Sequence, residues 1–420
     1  MNPKHSSPPQ SKQGKLYYGW IIIIASFFIC LVAFGIQHSF GIFLKPLQDE
    51  FGWSGALTSG AFSVYFIVHG LVAVPAGWVT DRFGPKTTIL TGSLLLGGGL
   101  LLTSRTNLPW QLYLSYGLFV GAGVGSVWCP LTATASRWFL EKRGLALGIL
   151  SSGIGVGMLI MSPVAGWLIS VFGWRISYFI IGLGVWVIII PSAMFLVREP
   201  RDKKLLPYGA VASEVRGDFD AMAGLTLQQA LQTRTLWLLF FMYALCTLCI
   251  QTVIVHVVRY AITVGIPPLS AAKVLSFVGG FSVAGKLTVG SVSDLVGRRK
   301  TFVASALIQI IAVLCLIRAT SISTFYLVGS VFGFSYGGFA PLVVMLTGEF
   351  LGLHSLGANL GVIMLGSSIG GAIGPVLAGR IFDITGSYAI ALISAASSML
   401  LATILSLGLK VAFPMDRKPT

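Results

Sequence analysis

Phe277–Arg299 reads FVGGFSVAGKLTVGSVSDLVGRR, an apolar stretch of helical length with one full charge, Lys286, near its middle. It runs into Gly290-Ser-Val-Ser-Asp294-Leu-Val-Gly297-Arg298-Arg299. An earlier stretch, Gly77-Trp-Val-Thr-Asp81-Arg82-Phe-Gly84-Pro85-Lys86, has the same skeleton about half a chain length upstream. The repeat implies two related halves, the second with a lone cation in apolar surroundings. A charge at the centre of a membrane helix costs roughly 2.5–3.5 kcal/mol on insertion scales, so it is a functional candidate by default.

The rest of the chain fits a bilayer. Its 420 residues are 55% hydrophobic and only 10% charged, against about a quarter charged in a soluble domain. Runs of about 20 apolar residues mark spans. Twelve are expected, at 17–43, 54–80, 86–105, 111–135, 143–171, 174–197, 235–262, 269–292, 300–318, 322–349, 355–381 and 388–412. The fold class is therefore an all-α membrane protein with two pseudo-symmetric six-helix bundles, 17–197 and 235–412. A basic linker, 198–234, joins them, with a short surface helix expected near Leu225–Leu231. Residues 1–16 read as a disordered tail and 413–420 as a second tail.

The formal charge of +15 suggests nucleic acid until its distribution is read. With the N-terminus inside, 20 of the 28 Lys and Arg fall in inner segments and seven at outer ends, leaving Lys286. That asymmetry is a topology signal: both termini are cytoplasmic and the partner is the lipid bilayer, not nucleic acid. A cell membrane of the bacterial inner-membrane type and a monomeric chain are expected.

The five cysteines lie in apolar stretches, and Cys246-Thr-Leu-Cys249 reads as packing. No metal cluster, cofactor motif or nucleophile–base pair is visible, so no cofactor, no metal and no enzymatic activity are expected. Gly121/Gly123/Gly125, Gly153/Gly155/Gly157 and Gly366/Gly370/Gly374 have the small-residue spacing that lets membrane helices approach closely.

Twelve spans in two halves, a basic linker and the duplicated G-x-x-x-D-x-x-G-basic motif resemble the major facilitator superfamily. The resemblance implies that Asp81 and Asp294 each cap the next helix. It also implies that they pair with a basic residue when the inner side is closed, which makes Asp81, Arg82, Asp294 and Arg298 gating candidates. Smaller signals resemble its monocarboxylate porter and oxalate–formate antiporter branch. They are Gly35-Ile-Gln-His38-Ser-Phe-Gly, Gly121-Ala-Gly-Val-Gly-Ser-Val-Trp128, Ser136-Arg137-Trp138-Phe139, Leu231-Gln-Thr-Arg234 and His256-Val-Val-Arg-Tyr260. In that branch the eighth span carries a basic residue, usually Arg, that binds the substrate carboxylate, and Lys286 falls at that position. Two departures matter. Lys offers a point charge in place of a bidentate fork, and Ser282 stands where the porters often have an acid. The second cation of the oxalate type is absent from the eleventh span, which argues for a monovalent anion.

Each candidate has a plain alternative. Lys286 binds the carboxylate, or snorkels to an interface, or pairs with an unseen acid. The proton that travels with the anion is carried by His38, its unperturbed imidazole titrating at about pH 6.5, or by the substrate–Lys286 site; His38 is otherwise a structural histidine. His256 contacts substrate or is structural. His69, without such context, reads as structural. Trp128 and Tyr336 line the cavity or pack, and Ser367, Ser368 and Ser282 bond the carboxylate or the backbone. The functional expectation is a secondary active transporter that moves a lactate- or pyruvate-like monocarboxylate with a proton by alternating access. Its rivals are a carboxylate exchanger of the oxalate–formate type, a proton-coupled drug exporter and a non-transporting carboxylate sensor.

Overall fold

The computed structural model describes residues 17–210 and 224–412. The expected tails, 1–16 and 413–420, and the linker stretch 211–223 lie outside the described residues. The spans follow the hydropathy. They begin with α1 (Tyr18–Phe51), α2 (Gly55–Phe83) and α3 (Pro85–Thr103). The fourth, α4 (Pro109–Trp138), is a composite, with π-helical geometry at Tyr113–Val120 and a turn before Trp128.

The run Arg143–Met194 is far too long for one crossing, and it breaks at Gly173 (φ 76°, ψ 166°) into α5 (143–172) and α6 (174–194). The second half holds α7 (Arg234–Thr263), α8 (Pro268–Val296), α9 (Arg298–Ile317), α10 (Ile322–Leu351), α11 (Leu356–Thr385) and α12 (Ala389–Leu407). Among the described residues, eleven helices are long and apolar enough to cross a membrane. With the break at Gly173, they make the twelve spans of two six-helix bundles.

Gly173 occupies a backbone region that is essentially closed to residues with a Cβ. Gly173→Ala is expected to destabilise the protein by about 1–3 kcal/mol. A drop in the thermal midpoint of the purified carrier would show it; an unchanged midpoint would refute it.

The glycine runs do what their spacing implies. A Cβ at Gly153 or Gly157 would strike the α1 backbone at Phe27 or Leu31, and one at Gly370 or Gly374 would strike α7 at Ala244 or Leu248. Gly285, Gly333 and Gly337 bring α8 onto α10 in the same way. In the linker, Thr226 caps the helix Leu227–Leu231: its hydroxyl accepts from the Gln229 N–H while the Gln229 side chain accepts from the Thr226 N–H.

Between the bundles, α5 crosses α8 and α2 crosses α11. The closest approaches run along α5 from Gly144 to Gly155 and along α2 from Gly70 to Gly77. Both lie toward the end of the molecule that carries the repeated motif, called here the motif end; the other is the far end.

Candidate functional site

Two cavities lie between the bundles. The motif-side chamber is about 170 Å³ and the far-side chamber about 280 Å³. They share Gln37, His38, Gln251, Lys286 and Tyr336. The lone cation therefore stands at their common wall, where side chains from α1, α7, α8 and α10 converge on one polar girdle.

Lys286 is 3% exposed. It sits about 15 Å along the α8 axis from the motif-end terminus, at 1.5 Å per residue. Its backbone packs on Gly148 of α5, so the residue lies on the seam between the bundles. Nζ donates to Ser282 Oγ at 3.4 Å, and that hydroxyl donates onward to the Gly279 carbonyl at 2.7 Å. Nζ also lies 5.3 Å from the centroid of the Tyr336 ring, a cation–π distance. No ion pair among the described residues includes Lys286. The ammonium neither reaches an interface nor meets an acid. A serine and a ring face are weak compensation for a buried charge, so the site lacks a counter-anion among the described residues.

Ser282, Tyr336, Trp128, Ser367 and Ser368 line the chambers. His38 lines both, is exposed to the cavity, and makes no hydrogen bond among the described residues.

His256 departs from expectation. It lies away from both chambers, inside the second bundle, at a small pocket with Tyr260 and Tyr388. Nε2 is 2.9 Å from the Pro375 carbonyl and Nδ1 is 3.1 Å from the Tyr388 hydroxyl. A carbonyl only accepts, so Nε2 carries the proton and Nδ1 accepts from Tyr388. Both nitrogens are spent on bonds within the second bundle, and His256 lines neither chamber. His256→Phe is expected to cost about 1–3 kcal/mol of stability, as buried bonds are lost. The half-saturation constant for transport should stay put, and a shift in it would return this residue to the site.

The cavity also holds groups that the sequence reading passed over. Tyr243, Thr247 and Gln251 face it from α7 at i, i+4 and i+8, a stripe visible in retrospect on an otherwise apolar helix. Gln37 is oriented by the Tyr65 hydroxyl, which donates to its Oε1 at 2.9 Å. His69, set aside as structural, lines the motif-side chamber, and both its nitrogens are buried without partners among the described residues, as is Trp128 Nε1.

The gating candidates separate. Neither aspartate caps the helix that follows it; the caps of α3 and α9 are Gly84 and Gly297. Each reaches across to the other bundle instead. Asp81 accepts from the Gly357 and Ala358 N–H groups at 3.2 and 2.9 Å, at the start of α11. Asp294 accepts from the Gly144 N–H at 2.9 Å and Leu145 at 3.4 Å, at the start of α5. A carboxylate at a helix N-terminus meets unpaired donors and the positive end of the dipole.

The basic partners also differ from expectation. Asp81 pairs with Arg137 of α4, a buried residue that sequence adjacency did not suggest. Arg82 is exposed and stacks on Trp78 and Phe83. Arg298 pairs with Glu349 at 3.2 Å within its own bundle, and Asp294 has no ion pair among the described residues. Arg82 and Arg298 are thus not part of the cross-bundle contact.

A sequence model described as Major Facilitator Superfamily matches residues 22–288 and 274–419. Monocarboxylate transporter 13 of Bos taurus is 26% identical over 390 residues, spanning 91% of this chain and 87% of that protein. Monocarboxylate transporter 12 of Homo sapiens is 26% identical over 431 residues, spanning 96% and 81%. An uncharacterized MFS-type transporter of Bacillus subtilis is 25% identical over 387 residues, spanning 88% and 90%. Among solved structures, the proton:xylose symporter aligns with a TM-score of 0.78 at 13% identity over 93% of this chain and 95% of that one. The E. coli fucose:proton symporter aligns with a TM-score of 0.70 at 17% identity, over 92% and 97%. At such identities the two structures speak to the fold alone.

Proposed function

The chain belongs to the Major Facilitator Superfamily, and from that premise we propose that it moves a small monocarboxylate of the lactate or pyruvate kind together with a proton. It is a multi-pass membrane protein and a secondary transporter, not an enzyme. The observation that carries the finer reading is the buried, acid-free ammonium of Lys286 at the wall shared by both chambers. The printed names of its relatives, monocarboxylate transporters, agree with that chemistry.

The carboxylate takes the place beside Nζ, with Tyr336 and Ser282 fixing the ammonium's position. His38, on the first bundle, accepts the proton. Anion, proton and Lys286 together leave the loaded site with no more charge than the empty one. Moving one uncompensated charge across 100 mV is worth about 2.3 kcal/mol. The Lys and Arg bias supports a cytoplasmic side for the motif end and both termini, in a cell membrane of the bacterial inner-membrane type. With the motif end closed, the conformation is the one that receives substrate from outside. Asp81, Asp294 and Arg137 are its latch.

Radiolabelled lactate uptake into proteoliposomes under an inward proton gradient tests this reading. Uptake should be accelerated by the gradient in the wild type. His38→Gln should keep lactate counterflow at fixed pH but lose the acceleration. Equal acceleration in the variant would take the proton off His38. Counterflow with no response to pH in the wild type would favour exchange over symport.

A further inference from the structure

The far-side chamber is larger than a three-carbon acid held at Lys286 requires, and two glycines account for part of its room. A Cβ at Gly41 of α1 or at Gly279 of α8 would meet nothing within 4 Å, and both residues line this chamber. Neither has a positive φ. Most other glycines on these helices sit against a neighbouring backbone or side chain, as Gly35, Gly285 and Gly290 do. Gly41 and Gly279 therefore serve neither a turn nor a close approach in this conformation. What their missing side chains provide is volume. The surrounding wall is hydrocarbon, from Phe62, Met158, Ile254, Leu275 and Val278. It is continuous with Lys286, His38 and Gln251.

We infer that the far-side chamber is a tail subsite, and that the favoured cargo is a monocarboxylate whose hydrocarbon body extends several carbons beyond the carboxylate bound at Lys286. This rests on the carboxylate reading of Lys286 and adds the substrate class to it. Each methylene withdrawn from water into an apolar wall strengthens binding about three- to fourfold. The gain continues until the chamber is full. A chain that ends at three carbons leaves most of the apolar wall wet. The rival account of the same glycines is mechanical: they leave room for the far ends of the helices to close.

The test is binding to the full-length carrier in detergent, read as thermal stabilisation by unbranched 2-oxo acids from three to eight carbons. Affinity should rise about three- to fourfold per methylene and then level off. Gly41→Val should flatten that rise while leaving the three-carbon acid bound as in the wild type. Gly279→Val, on the opposite bundle, should flatten it too. A flat series in the wild type overturns the tail subsite and leaves the Lys286 reading standing. A variant that weakens short and long acids equally assigns the glycines to closure and also overturns it. If no acid stabilises the protein, the carboxylate reading and the subsite fall together.

Discussion

Replacing Lys286 by Met is expected to abolish lactate uptake and, at the same time, to raise the thermal midpoint of the empty carrier. The two effects have one cause. Lys286 is buried with only Ser282 Oγ at 3.4 Å and the Tyr336 ring for company. Removing one partner of a buried charge pair in a complex costs about 2–5 kcal/mol, or roughly 30- to several-thousand-fold in affinity. Without ligand, the same ammonium is an uncompensated burden. Apolar replacement of buried ionic groups stabilises by about 1–4 kcal/mol, so the empty variant should melt higher. Lys286→Arg keeps the charge and should retain part of the uptake, limited by the fit of a larger fork. Uptake in the Met variant equal to wild type would remove the carboxylate from this residue. A lower melting point without ligand would mean that the ammonium is structurally paired.

Gly144→Val is expected to hold the motif end open. A Cβ at Gly144 collides with the Gly290 carbonyl, and a Cβ at Gly77 collides with the Gly357 carbonyl at the symmetric crossing. Both partners there are main chain, so no rotamer relieves the clash. Spin labels introduced at Glu141 and Val292, with the five native cysteines replaced, should show a short distance in the parent and a long one in the variant. Uptake should fall with the lost conformation. An unchanged distance distribution would show that the crossing tolerates a side chain. Asp294→Asn is the milder companion. It removes the charge from the α5 N-terminus, an interaction worth about 0.3–2 kcal/mol. The closed-to-open ratio should drop about two- to thirtyfold.

The helices were legible because the bilayer imposes length and polarity on every span. Even the break between α5 and α6 was readable within a few residues of Gly173. Lys286 was legible for the same reason: a charge in hydrocarbon has few innocent explanations. The glycine runs declared their packing role through spacing alone. Partners across the bundles were not legible. Asp81 meets residues 357 and 358, and Asp294 meets residues 144 and 145. Nothing local distinguishes these from the helix immediately downstream. Sequence adjacency put Arg82 beside Asp81, but on a helix neighbouring residues point about 100° apart. Arg137, from another span, takes the place instead. His256 failed for a related reason. Periodicity shows that residues share a face, not whether that face looks into a cavity or into the bundle. His69 was missed because no motif surrounds it, although its unpartnered nitrogens place an unmet need beside the chamber.

The single residue that joins α5 to α6 leaves no slack between them. One of the two carries Gly144 at its far extremity from that joint; the other turns Ile176 and Val187 outward, 50% and 72% exposed, toward the acyl chains. Tilting α6 to suit a thinner or thicker bilayer is therefore expected to pull on α5 and load the α5–α8 crossing. The distance between the labels at Glu141 and Val292, measured in bilayers of two thicknesses, should then differ.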